Sequence, residues 1–179
     1  LSVDDLRVTF TTADGESLKA VDGISFDVRP GETFGVIGES GSGKSTLGRA
    51  IVRLLDPTSG QISYDGQDLA RLKGRALRQR RRDLQIIFQD PNAALNPRMT
   101  ILDSVREPLD VLGKGDRASR IARAMDRLDR VGITPEQARR YPHELSGGQK
   151  QRVNIARALT LQPRLMVCDE VVAALDVSI

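Results

Sequence analysis

The sequence predicts an α/β core that begins with an antiparallel β region and carries an inserted helical subdomain. Three observations predict it. Apolar and polar residues alternate near the amino terminus. A short apolar run leads into a glycine-rich loop and then a helical pattern. A long stretch of helical spacing returns, near residue 165, to one more apolar run.

Leu6, Val8 and Phe10 alternate with Arg7 and Thr9, which predicts a half-buried strand, and Ala13-Asp14-Gly15 signals a turn. Ile24, Phe26 and Val28 alternate in the same way until Pro30-Gly31 ends the strand. Thr33–Ile37 is apolar and bounded by glycines, the pattern of a buried strand. Lys44–Leu55 has Leu47, Ile51 and Leu54 on one helical face, and Asp56-Pro57 stops it. Gln61–Tyr64 predicts a strand before the turn Asp65-Gly66, and Leu84–Phe88 a buried one. Thr100–Leu112, Asp116–Val131 and Gly147–Leu161 predict helices. Ile121, Met125, Leu128 and Val131 recur at helical spacing and are expected in the core. Arg164–Cys168 is again a buried strand. The expected division is a core of about 1–94 and 162–179 with a helical subdomain at about 95–161.

Composition narrows the function classes. The chain has 179 residues, 39% apolar and 28% charged, ordinary for a globular domain. A net charge of +3 is too small to argue for nucleic acid, and 3% aromatics without Trp gives little for base-stacking platforms. Seven basic residues fall within Arg71–Arg82, best read as a solvated helix face. One cysteine, Cys168, and one histidine, His143, exclude a disulfide framework, a cysteine-rich zinc site and a His cluster. Cys168 is expected to be a buried core thiol. No run approaches the roughly 18 apolar residues of a membrane span, and no secretory leader is read, so the expectation is a cytoplasmic chain.

Gly38-Glu39-Ser40-Gly41-Ser42-Gly43-Lys44-Ser45 fits G-x-x-x-x-G-K-[ST] between a predicted strand and a predicted helix. Glycines let successive N–H groups turn onto phosphate oxygens, and the helix N-terminus adds partial positive charge. Lys44 can reach the β- and γ-phosphates, and Ser45 can hold Mg²⁺. The core is therefore of the P-loop NTPase type. Leu165–Cys168 ends in Asp169 and Glu170, and ligands of α/β sheets sit at the carboxyl ends of strands. Asp169 is expected to orient the Mg²⁺ shell and Glu170 to polarise an attacking water. Leu145-Ser146-Gly147-Gly148-Gln149 precedes a helix; Ser146 and Gln149 make a capping box, but a cap does not require two glycines, and bare backbone there admits an anion.

With these motifs the chain resembles the nucleotide-binding subunit of ABC transporters. The phosphate loop, LSGGQ at 145–149, the acidic strand and Ala174-Leu175-Asp176 stand in family order. Phe88-Gln89-Asp90-Pro91, Ala94-Leu95-Asn96-Pro97, Arg140-Tyr141-Pro142-His143-Glu144 and Asp176-Val177-Ser178 resemble the oligopeptide/dipeptide importer subfamily. The resemblance implies ATP and Mg²⁺ as ligands, two cassettes closing head to tail, and hydrolysis that powers transport of peptides or similar solutes. It implies that Lys44, Ser45 and Thr46 hold phosphates and metal, that Ser146 and Gly148 touch the γ-phosphate bound by the partner, and that Gln89 senses that phosphate and couples to the membrane subunit. Asp176 would link the two sites and Phe10 would stack on adenine. The implied partners are membrane permease subunits, a second ATP-binding domain and, indirectly, a solute-binding protein, with no nucleic acid. The implied location is the cytoplasmic face of the inner membrane. The family's switch histidine, downstream of the acidic pair, has no counterpart here, so the chain reads as a C-terminally truncated cassette with an incomplete core sheet. Two alternatives are a soluble ABC-type ATPase acting on nucleic acid and a non-catalytic nucleotide-binding fragment.

Overall fold

The computed structural model describes residues 1–113 and 115–169. They form two compact units, which divide after Arg81.

The first unit is built on a sheet of order β2-β1-β3-β4, with β1 Ser2–Thr11, β2 Ser17–Asp27, β3 Ser59–Tyr64 and β4 Gln67–Asp68. All its pairings are antiparallel. Val3, Leu6 and Val8 of β1 all face the core, although Val3 and Leu6 are three residues apart. A register shift between them restores the phase, with Asp5 at φ 43. The helix α1, Lys44–Ile51, packs on β1 and β2 and buries Leu47, Ala50 and Ile51. Arg53, just past α1, is buried; its Nε donates to the Leu69 carbonyl at 2.8 Å and its guanidinium also reaches the Leu72 carbonyl and Asp56. The short helix α2, Gly74–Arg80, lies within the basic run and buries only Leu77, leaving Lys73, Arg75 and Arg78 exposed.

The expected strand at Thr33–Ile37 is not formed. Residues 32–39 carry no regular element, and Ile37 is 98% exposed. Such a run suits a strand buried on both faces between two neighbours, and neither ladder among the described residues includes it. Phe34 instead stacks on Phe26, with centroids 4.9 Å apart.

The second unit pairs β5, Leu84–Ile87, with β6, Leu165–Cys168, in parallel, Ile87 opposite Cys168. Its helices are α3 Pro91–Ala94, α4 Ile101–Leu112, α5 Arg117–Arg130, α6 Pro135–Ala138 and α7 Gly147–Leu159. Ile101, Val105, Ala124, Leu128, Ile133, Val153 and Ala156 form one core, with Met125 and Val131 against it; of the four residues expected there, Ile121 is half-buried and is not part of that cluster. Thr100 and Asp116 cap α4 and α5, each accepting the N–H of the residue three positions on. β6 is half-buried, where a fully buried strand was expected, and Cys168 is exposed. The reason is that β6 has one neighbour, β5, among the described strands. The cover that remains still pushes the Cys168 thiol pKa up by desolvation.

Candidate functional site

The phosphate loop runs from Gly38 into α1. Gly43 is the N-cap of α1 at φ 92, ψ 5, in the left-handed region. An added Cβ there would stand 2.1 Å from the Ala20 carbonyl oxygen, so only glycine carries the chain between β2 and the loop. The N–H of Ser42 donates to the Glu39 carbonyl at 3.2 Å and closes the turn. Lys44 folds over the loop, its Nζ donating to the Gly38 carbonyl at 2.8 Å and the Glu39 carbonyl at 2.7 Å. No side chain caps α1 and no acid stands in its first turn; the first intrahelical donor is Leu47, to Gly43. The helix therefore presents Lys44, Ser45 and Thr46 at an end whose partial charge is positive, below an exposed loop of Gly38, Glu39, Ser40, Gly41 and Ser42. An arrangement of this kind suits a polyphosphate.

In the second unit, the register of β5 and β6 brings Gln89 and Asp169 out at the same carboxyl-terminal end of the pair. Asp169 is buried and its N–H donates to the Ile87 carbonyl at 3.0 Å, so its backbone continues the ladder at the strand end. Gln89 is exposed. Asp90 then caps α3 through Asn92. Glu170 and Asp176 lie outside the described residues.

The signature segment forms its capping box in full. The Ser146 hydroxyl accepts the Gln149 N–H at 3.3 Å, and Gln149 Oε1 accepts the Ser146 N–H at 2.9 Å. Capping does not explain Gly147. An added Cβ there meets nothing within 4 Å, and its backbone lies outside the left-handed region. Glycine is a poorer helix former than alanine, and neither space nor conformation within the chain asks for Gly147.

α7 is braced to the segment that follows Gln89. Lys150 Nζ donates to Asn92 Oδ1 at 2.8 Å. Arg157 donates to the Ala94 carbonyl at 2.9 Å and to Glu107 of α4 at 2.8 Å. Ala94, Leu95, Asn96, Glu107 and Arg157 line a cavity of about 370 Å³. Phe10 is exposed on β1 opposite Leu18, so its ring is free of the core.

Sequence reasoning missed several of these features. The braces through Lys150 and Arg157 join residues 58 and 63 positions apart, which no local pattern signals. Gln151 and Asn154 of α7 are buried, and none of their side-chain amide atoms has a hydrogen-bond partner. Both stand on the helix face that also carries Ile155 and Ala158, which pack with Ile87 and Met166.

A phosphate-cradling loop at the mouth of one helix, an acidic strand end and a second glycine-led helix define a nucleotide-binding cassette. The sequence model of the ABC transporter family matches residues 21–173, and the chain belongs to that family. It is similar to the oligopeptide transport ATP-binding protein OppF of Streptococcus mutans, 46% identical over 181 residues, covering all of this chain and 58% of that protein. It is also 50% identical over 185 residues to the glutathione import ATP-binding protein GsiA of Pectobacterium atrosepticum, covering all of this chain and 30% of that protein. The chain thus spans about half or less of the length of these relatives. The dimeric structure of the ATP-binding cassette MJ0796 in a post-hydrolysis state, bound to ADP and Pi, superposes with a TM-score of 0.89 at 33% identity, covering 98% of this chain and 76% of that one. The α/β cassette fold is therefore established. Among the described residues no helix is long and apolar enough to cross a membrane.

Proposed function

We propose that the chain binds ATP with Mg²⁺ and hydrolyses it as the motor of a peptide-type importer. The single observation that carries this reading is Gly147: a glycine with open space at the start of a capped helix, which the chain's own packing does not require. A bare helix start of this kind suits close approach by a phosphate that another cassette holds. The names of the relatives support peptide or glutathione import over an action on nucleic acid.

Lys44, Ser45 and Thr46, with the loop amides from Gly38 to Gly43, bind the triphosphate and fix its orientation. Ser45, Gln89 and Asp169 offer a hydroxyl, an amide oxygen and a carboxylate, a hard-oxygen set that suits Mg²⁺. When bound, Mg²⁺ neutralises charge on the phosphate oxygens. Glu170 takes a proton from the attacking water. Ser146, whose hydroxyl accepts within its cap, keeps its own proton to donate to the γ-phosphate of the opposite site. Gly147, Gly148 and Gln149 complete that contact. Asp176 joins the two sites across the dimer, and Phe10 stacks on adenine. The groove beside Arg157 and Glu107 receives the permease subunit, which places the chain on the cytoplasmic face of the membrane and, through the permease, in line with a solute-binding protein.

The test is Mg-ATP turnover and ATP-driven dimerisation, compared between the native chain and Glu170→Gln. Turnover lost in the variant, with a dimer that persists in ATP, is the expected result. Turnover that ignores Glu170, or a variant that stays monomeric in saturating ATP, overturns the proposal.

A further inference from the structure

Arg71–Arg82 holds seven cations, and no acid occurs between Asp68 and Asp83. Some of the seven serve the fold. Arg71 pairs with Asp68 at 3.1 Å, Arg80 donates to Gln67 at 2.8 Å, and Arg81 donates to the Arg53 carbonyl. Lys73, Arg75 and Arg78 do not. All three are exposed, and their side chains make no hydrogen bond or ion pair among the described residues. Helix formation does not ask for them either. Lys73 is the N-cap residue of α2 and Arg75 stands in its first turn, where the helix dipole disfavours a cation and no acid offsets it. Arg75 and Arg78, three positions apart, are like charges on one face. The bonds of Arg80 and Arg81 and the burial of Leu77 hold α2 in place, and the exposed Gly74 and Ala76 put no bulk between the free cations.

We propose that Lys73, Arg75 and Arg78 form a docking patch for a surface of anionic lipid headgroups; the choice of a membrane rests on the location proposed above. The occupant is anionic, because the three side chains are donors only and carry positive charge. It presents its charge over an area, because the cations stand side by side on an open surface rather than around a pocket. No aromatic residue occurs from Leu69 to Arg82, so nothing there stacks on bases, which sets nucleic acid aside. A leaflet that carries anionic lipid attracts each Lys or Arg within a Debye length of it and demands no fixed geometry. The patch is then a weak hold on the membrane that needs no nucleotide, separate from the hold made through the permease.

The test is co-sedimentation of the whole chain, without nucleotide, with vesicles of phosphatidylglycerol and phosphatidylcholine in equal parts and with vesicles of phosphatidylcholine alone. The expected result is binding to the anionic vesicles only, weakened by added salt. Lys73→Gln, Arg75→Gln and Arg78→Gln together should lower the partition coefficient at least about tenfold, with the circular dichroism spectrum and Mg-ATP turnover unchanged. Arg75→Lys with Arg78→Lys should bind as the native chain does, because a lipid surface reads charge and not the guanidinium fork. Equal binding to neutral vesicles, or a triple Gln variant that binds like the native chain, overturns the inference. So does a chain that ignores vesicles and binds a DNA duplex through these three residues. None of these outcomes touches the proposed function, which stands or falls on turnover through Glu170.

Discussion

Gly43 and the carbonyl of Ala20 stand so close that a Cβ on Gly43 would lie 2.1 Å from that oxygen. The phosphate loop is therefore locked to strand β2 by the absence of one side chain. Gly43→Ala adds a left-handed strain to this clash. We expect a loss of about 2 kcal/mol or more and loss of nucleotide binding, read by chemical denaturation and by ATP titration.

Arg53 donates into the Leu69 and Leu72 carbonyls, and its side chain is 4% exposed, while that of its ion-pair partner Asp56 is 85% exposed. The carbonyl bonds outweigh the ion pair. Arg53→Met should cost about 2–4 kcal/mol by leaving buried acceptors unmet, and Asp56→Ala less than about 1 kcal/mol. Urea midpoints of the two variants separate these contributions, and equal losses would contradict the assignment.

Gln151 is fully buried with neither side-chain amide atom bonded. Gln151→Leu keeps the volume and removes the desolvation cost. The expected outcome is a stability gain of about 1 kcal/mol, seen as a higher melting temperature. A clear loss would show that the amide is engaged in solution.

Asp110 binds Arg106 and Arg120, which joins α4 to α5, and hydrogen bonds from first Arg106 and then Arg120 hold its pKa below 3.8. A depressed carboxylate contributes stability that is fully present above its unfolded pKa and is lost as pH falls through the folded value. Acid unfolding of the native chain should steepen below pH 3.8, and Asp110→Asn should be less stable than the native chain by a constant amount above that pH and flatten the acid limb below it. Circular dichroism across pH 2 to 6, a range chosen about the ordinary carboxylate pKa, checks this.

Much of the fold was legible because its signals are local. Apolar spacing marked α4, α5 and α7, and the capping box read at Ser146 and Gln149 forms as expected, while Thr100 and Asp116, read as first helical residues, stand as caps just ahead of α4 and α5. The phosphate loop was legible for the same reason, since eight consecutive residues carry it. What stayed hidden depends on distant partners. The apolar run at Thr33–Ile37 has strand composition, but a strand needs a ladder, and its sequence does not say where that ladder is. The exposure of Cys168 likewise follows from how many strands flank β6. Tyr141 and His143 stood in a segment read only as a subfamily resemblance, and their stacking is seen only in the structure.

The pairing of Leu84 with Leu165 sets the order in which the second unit can assemble. These strands must find each other across roughly eighty residues of chain, and closing so long a loop is entropically costly until the loop is compact. The helices between them, α4 with α5 foremost, pair across shorter separations of chain than the two strands do, and shorter closures form earlier. The α4–α5 hairpin and α7 should therefore collapse first and shorten the effective distance between the strands. The parallel pair, with Gln89 and Asp169 at its end, then closes as the last event, so folding intermediates should protect helical amides from exchange well before those of Leu84–Ile87.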